Sequence, residues 1–161
     1  MKKYVYLLFV AFFATMSFTS CNDDDEPSDP SNGKYSCSLT VNGKKFPAKK
    51  LGGEYYKEFG EEFYFVVVED ALGDEFFSFD ITGSIAEGDD VSDRCNVDLD
   101  FDGLYLRGNK VQSGSVRVIK FDKSSGILSV QFNNAICVTY EGDTVTLNGI
   151  ITMSLAEEVV L

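Results

Sequence analysis

Asp98, Asp100 and Asp102 alternate along Asp98-Leu99-Asp100-Phe101-Asp102-Gly103, the D-x-D-x-D-G spacing with which a calcium-binding loop opens. Hard carboxylate oxygens at alternate positions, with a glycine at the turn, are what calcium coordination asks of a chain. The remainder of such a loop is missing. Its twelfth position, where a bidentate glutamate closes the shell, is Asn109, and no helical pattern flanks the segment. The same residues read as a strand with Leu99 and Phe101 inward and the aspartates outward. A solvated strand face is therefore the expectation. Calcium is the one cofactor these residues suggest, and no other is implied.

Other chemistries are limited by residue types. The chain contains no histidine, which excludes Ser-His-Asp and Cys-His catalysis and histidine-ligated catalytic metals. No glycine-rich loop enters a helix, so phosphate and dinucleotide cradles lack their essential element. The 26 Asp and Glu residues ensure that some carboxyl pair lies near the separation of roughly 5 to 10 Å that glycosidases use. Abundance alone does not select a pair. Tyr55, Tyr56, Phe59, Phe63 and Tyr64 form an aromatic cluster; as a sugar-stacking platform it would offer flat apolar faces with polar tips. Core and rim packing explains the same residues. Tyr55, Tyr56 and Phe59 are the candidate ligand aromatics, and tryptophan is absent.

The amino terminus supplies an address. Lys2 and Lys3 precede an apolar run over residues 4–13, and Ser17-Phe18-Thr19-Ser20 leads into Cys21. This is the order of a signal peptide, and the run is shorter than the roughly 20 residues a spanning helix needs. A cysteine directly after small residues resembles the lipobox of bacterial lipoproteins, with Phe18 where that pattern has Leu. The resemblance implies a signal over residues 1–20 and diacylglyceryl attachment at Cys21. Each buried CH₂ contributes about 0.8 kcal/mol, so two or three acyl chains hold a protein on a membrane.

Asn22, Asp23, Asp24, Asp25 and Glu26 follow, and no apolar residue other than proline occurs before Tyr35. Residues 21–33 thus read as the lipidated cysteine and a solvated acidic tether. The acidic cluster resembles the export signal of surface lipoproteins in the Bacteroidetes, which implies an outer-membrane protein facing the cell exterior. An acidic spacer that only holds the domain off the membrane is the alternative.

With the signal removed, 12 Lys and Arg remain against 26 Asp and Glu, a net charge of −14. Such a field repels phosphate polymers, so nucleic acid is not an expected partner. No basic patch addresses anionic lipid head groups, and membrane association rests on the lipid. Cys37, Cys95 and Cys137 remain after lipidation, an odd number. Cys37 and Cys95 fall on inward strand positions, which favours buried thiols over a bridge. A zinc site lacks both histidine and C-x₂-C spacing.

Residues 34–161 have the size and apolar content of one domain, and no internal repeat is evident. Their pattern is period two broken by Gly, Asn and Asp turns, the signature of antiparallel strands. Strands are predicted over 35–41, 44–51, 62–69, 75–82, 94–101, 104–107, 115–121, 127–132, 135–140 and 144–155. Asn42-Gly43 and Asp102-Gly103 mark hairpins. Pro47 places the second strand at an edge. Gly52, Gly53 and Gly60 frame a turn-rich piece, residues 83–93 a loop, and Gly149 a bulge or bend. Eight to ten short strands make an all-β antiparallel sandwich or small barrel.

Val41-Asn42-Gly43-Lys44-Lys45-Phe46, Lys120-Phe121-Asp122-Lys123 and the terminal Thr146-Leu147-Asn148-Gly149 are similar to small one-domain β-rich lipoproteins common in gut Bacteroidetes. These motifs are turn and strand chemistry, so the resemblance implies a fold and no activity. The expectation is a non-catalytic, surface-displayed binding or scaffolding domain with an extracellular glycan or protein partner. A carboxylate-dependent extracellular hydrolase and a calcium-stabilised structural module are the alternatives.

Overall fold

The computed structural model describes residues 35–157, with the side chain of Glu157 excepted. Residues 1–20, Cys21 and the acidic residues Asn22, Asp23, Asp24, Asp25 and Glu26 lie outside them. The described chain folds as a β-sandwich of twelve strands: β1 Ser36–Cys37, β2 Thr40–Val41, β3 Lys44–Lys45, β4 Lys50–Glu58, β5 Glu61–Glu69, β6 Phe76–Thr82, β7 Cys95–Phe101, β8 Leu104–Lys110, β9 Ser113–Asp122, β10 Ile127–Val138, β11 Thr144–Ser154 and β12 Ala156–Glu157. The first sheet runs β3-β2-β11-β10-β9, with β1 also on β11, and the second runs β12-β4-β5-β6-β7-β8. Every pair is antiparallel except β12 on β4.

Alternation decides which side chains meet between the sheets. Tyr64, Val66 and Val68 on β5, Phe77, Phe79 and Ile81 on β6, and Val97, Leu99 and Phe101 on β7 point inward, each at most 2% exposed. From the first sheet, Phe132 meets Phe77 and Phe79 edge to face, with centroids 5.5 and 5.3 Å away. A buried aromatic side chain contributes about 1.5–3 kcal/mol through area alone, so this trio is a principal tie between the sheets.

Three hairpins share one turn geometry, with positive φ at both central residues: Asn42-Gly43 at 49° and 79°, Phe59-Gly60 at 51° and 87°, and Asp102-Gly103 at 54° and 77°. The first and last are the expected hairpins. The middle one corrects the reading of residues 52–60 as turn-rich: they belong to the nine-residue β4, paired with β5 from Lys50↔Glu69 to Glu58↔Glu61. Gly53 is a strand residue because its neighbours leave no room for a side chain. A Cβ there would stand 2.6 Å from Met153 Cε and 2.9 Å from Leu155 Cδ2.

The predicted strand over 44–51 divides into the two-residue edge strand β3 and the start of β4, because Phe46-Pro47 carries the chain from one sheet to the other. The separate strands over 127–132 and 135–140 are one strand, β10, with a bulge at Asn133-Asn134. The irregularity assigned to Gly149 therefore sits on its partner. Gly149, at φ 130°, serves a close approach instead: a Cβ would lie 2.4 Å from the Ser38 carbonyl oxygen.

Candidate functional site

Neighbouring residues of a strand point to opposite faces, so Tyr55 and Tyr56 cannot share a platform. Tyr55 faces inward and packs on Tyr64, its register partner on β5, with centroids 5.1 Å apart. Its hydroxyl donates to Glu62 Oε1 at 3.0 Å, and the Tyr64 hydroxyl donates to Oε2 at 2.9 Å. Lys57 and Lys123 bring their ammonium groups to Oε1 at 3.1 and 3.3 Å, and Lys123 also lies over the Tyr55 ring. Lys123 belongs to the β9–β10 turn of the opposite sheet, so Glu62 ties both sheets together at this end.

Burial alone would raise the Glu62 pKa. Hydrogen bonds from Lys57, Tyr64, Tyr55 and Lys123 outweigh it and hold the carboxyl at about 2. Burial raises the Tyr64 pKa, and the Glu62 carboxylate raises it further, so that phenol stays a protonated donor. The electrostatics oppose a tyrosinate nucleophile here. The adjoining cleft, lined by Tyr55, Phe121, Lys123, Gly126 and Leu155, has a volume of about 40 Å³. That is room for water and not for a sugar ring.

Tyr56 lies on the opposite, outward face of the second sheet, where it stacks on Phe63 with centroids 5.1 Å apart and planes 10° from parallel. Rows cross this face from strand to strand. Phe63 stands opposite Thr82; Phe65 opposite Asp80, which is itself opposite Asn96; Val67 opposite Ser78, which is opposite Asp98; and Phe76 opposite Asp100. Asn96 Nδ2 donates to Asp80 Oδ2 at 2.8 Å. Burial raises the Asp80 pKa against that hydrogen bond, and the Asp98 charge pushes the same way. The outward side of β4 to β7 thus sets apolar and aromatic surface directly beside planar hydrogen-bonding groups.

Phe59 is separate from both tyrosines. It caps the β4–β5 hairpin with its side chain 99% exposed, in a backbone region that Asn, Asp and Gly occupy in such turns and a bulky residue seldom does. Among the described residues no contact accounts for a phenylalanine there.

The three aspartates of the D-x-D-x-D-G segment do not converge. Asp98 and Asp100 are successive outward residues of β7, and Asp98 accepts the Gly108 backbone N–H. Asp102 sits in the turn and pairs with Lys44 at 2.8 Å. Among the described residues no group of three or more His, Cys, Asp or Glu side chains is placed to hold a metal ion. Cys95 and Cys137 are fully buried, Cys37 is half-buried, and none of the three is bonded to another.

Phe65, Phe76, Asp80 and Asn96 were not singled out by sequence. For Phe65 the signal was the parity of residues 62–69, where Phe63, Phe65 and Val67 are apolar on the face opposite Tyr64, Val66 and Val68; Phe76, Asp80 and Asn96 join it only through cross-strand register. A strand apolar on both faces is covered on both, or displays one for recognition. Fold and face together define a β-sandwich with an aromatic and carboxylate sheet surface. No family model, curated protein or solved structure matches the chain.

Proposed function

We propose that this protein is a non-catalytic glycan-binding domain, held at the outer surface of a bacterial outer membrane by lipid on Cys21. Its ligand lies on the outward face of β4 to β7. The observation that carries this reading is the stacked pair Tyr56 and Phe63, 5.1 Å apart, in the row beside Phe65 and the Asp80–Asn96 hydrogen bond. A sugar presents an apolar ring face edged by hydroxyls, and this surface presents aromatic rings edged by carboxylate and amide groups. The −14 charge of the mature chain keeps nucleic acid away, and the acidic tether gives the domain reach from the membrane.

The test is a glycan array probed with the detergent-solubilised protein. Binding that falls at least tenfold in Phe63→Ala and Tyr56→Ala, with an unchanged melting temperature, supports the reading. Absence of binding across host and plant glycans overturns it. Protease treatment of intact cells checks the orientation: digestion of the domain supports surface display, and protection until the outer membrane is broken opposes it.

One observation favours a hydrolase as the second reading. Asp80, with its raised pKa, neighbours Asp98 on the same face, the arrangement of an acid and a base. Release of reducing ends from a bound glycan, abolished in Asp80→Asn, would replace binding by hydrolysis.

A further inference from the structure

We propose that the tip of the β4–β5 hairpin docks a second protein, one whose surface offers an apolar pocket rimmed by Lys or Arg, and that Phe59 is the side chain that enters it. The hairpin outruns the sheet it belongs to. Towards the tip, β5 pairs with β6 only as far as Phe63↔Thr82, and the Gly83 N–H ends that edge on the Glu62 carbonyl at 2.7 Å. Among the described residues, β12 accompanies β4 only at Glu54 and Tyr55. β4 and β5 continue through Lys57↔Glu62 and Glu58↔Glu61 to the turn at Phe59-Gly60. At about 3.3 Å per residue, the turn stands roughly 10 Å beyond Phe63.

Two features of this tip work against folding. Phe59 holds φ at 51° with its ring 99% exposed, a backbone region that a bulky residue seldom occupies. Glu58 and Glu61 are both exposed and stand directly opposite each other, and like charges in that register repel. The adjoining cation, Lys57, is committed to Glu62 at 3.1 Å, and among the described residues no ion pair reaches Glu58 or Glu61. Strain retained at one projecting site is a mark of function. One occupant answers both features. Aromatic side chains are enriched at the cores of protein interfaces, where an anchor in a desolvated pocket dominates binding, and a basic rim on the partner matches the two carboxylates. A lipid surface takes up broad apolar faces flanked by Lys and Arg, whereas this ring stands alone between two acids. A second mature chain carries the same charge of −14 and is repelled.

The experiment replaces Phe59 of the full chain by the photoreactive analogue p-benzoylphenylalanine, irradiates intact cells and identifies the adducts by mass spectrometry. The expected product is one protein, cross-linked at an apolar site beside Lys or Arg. That protein, once purified, should bind the unaltered chain at least tenfold more tightly than Phe59→Asn. It should bind Glu58→Gln and Glu61→Gln about threefold more weakly than the unaltered chain at low salt, a difference that fades at about 0.5 M NaCl, where the screening length is only a few ångströms. Asparagine suits the turn, and a melting temperature at or above that of the unaltered chain shows that weaker binding by Phe59→Asn is not unfolding. Adducts to lipid or polysaccharide alone, adducts only to a second copy of the chain, or no adduct overturns the proposal, as does equal binding of the purified protein by Phe59→Asn. The glycan array is read separately, since Tyr56 and Phe63 are untouched in these variants.

Discussion

The Tyr64 hydroxyl lies 2.9 Å from Glu62 Oε2, two residues away on the same strand face, and the pair forms the centre of the junction that fastens one end of the sandwich. Glu62 is held ionised by four donors while its side chain is only 12% exposed. Its folded pKa of about 2 lies below the ordinary carboxylate value of 4.5. The stabilisation from this group is therefore complete above about pH 5 and is lost as pH falls from about 4.5 towards 2. Glu62→Gln should cost about 2 kcal/mol at pH 7 and flatten that acid limb. Urea midpoints measured from pH 2 to 7 check both; an unchanged acid limb would show that Glu62 is not the titrating group.

Ser129 and Thr152 share a hydrogen bond of 2.8 Å between hydroxyls that are both fully buried. Removing one partner strands the other, so Ser129→Ala and Thr152→Val should each cost about 1–3 kcal/mol. The double substitution should cost less than the sum of the two. Additive losses in a double-mutant cycle would mean that the hydroxyls do not couple.

Two glycines should answer differently to alanine. At Gly149 the added Cβ meets backbone, the Ser38 carbonyl oxygen, and φ is 130°; a loss of about 3 kcal/mol or more is expected, since neither obstacle can move. At Gly53 the obstacles are side-chain ends, the flexible Met153 thioether and a Leu155 methyl, and a smaller loss of about 1–2 kcal/mol is expected. The order of the two thermal midpoints settles it.

Phe59→Asn should stabilise the protein by about 0.5–1 kcal/mol, because asparagine tolerates the left-handed conformation that Phe59 adopts at φ 51° and suits this turn type. A rise in melting temperature would show that phenylalanine is kept for something other than folding. A fall would mean that the ring has a packing role.

Burial pushes the Cys95 thiol up, with the charges of Asp80 and Cys137 adding to it, and burial alone takes Cys137 to about 11. Neither should react with a water-soluble disulfide reagent in the native state, while both should react on denaturation. Native labelling at either residue, read by mass spectrometry, would contradict that burial.

The fold class and most strand positions were legible in the sequence because each depends on local order, and the proposed address rests on the same kind of information. A basic, apolar and small-residue succession ending at Cys21 is linear information. So is the alternation of Cys95, Val97, Leu99 and Phe101, and so are the turns Asn42-Gly43 and Asp102-Gly103, where positive φ demands those residue types. The Phe59-Gly60 turn was missed because Phe59 breaks that demand, and β4 was missed because Gly52 and Gly53 look like breakers until Met153 and Leu155 arrive from elsewhere in the chain.

What the sequence determined by itself was therefore a chain of alternating strands with a large excess of carboxylates. Which aromatic rings stand together was decided only by the tertiary structure. Tyr55 and Tyr56 are adjacent along the chain, and the pleat sends one to Glu62 and the interior and the other to Phe63 and the outward face. The row from Phe65 through Asp80 to Asn96 joins three strands and 31 residues of chain, and cross-strand register, a property of the assembled sheet, brings its members side by side.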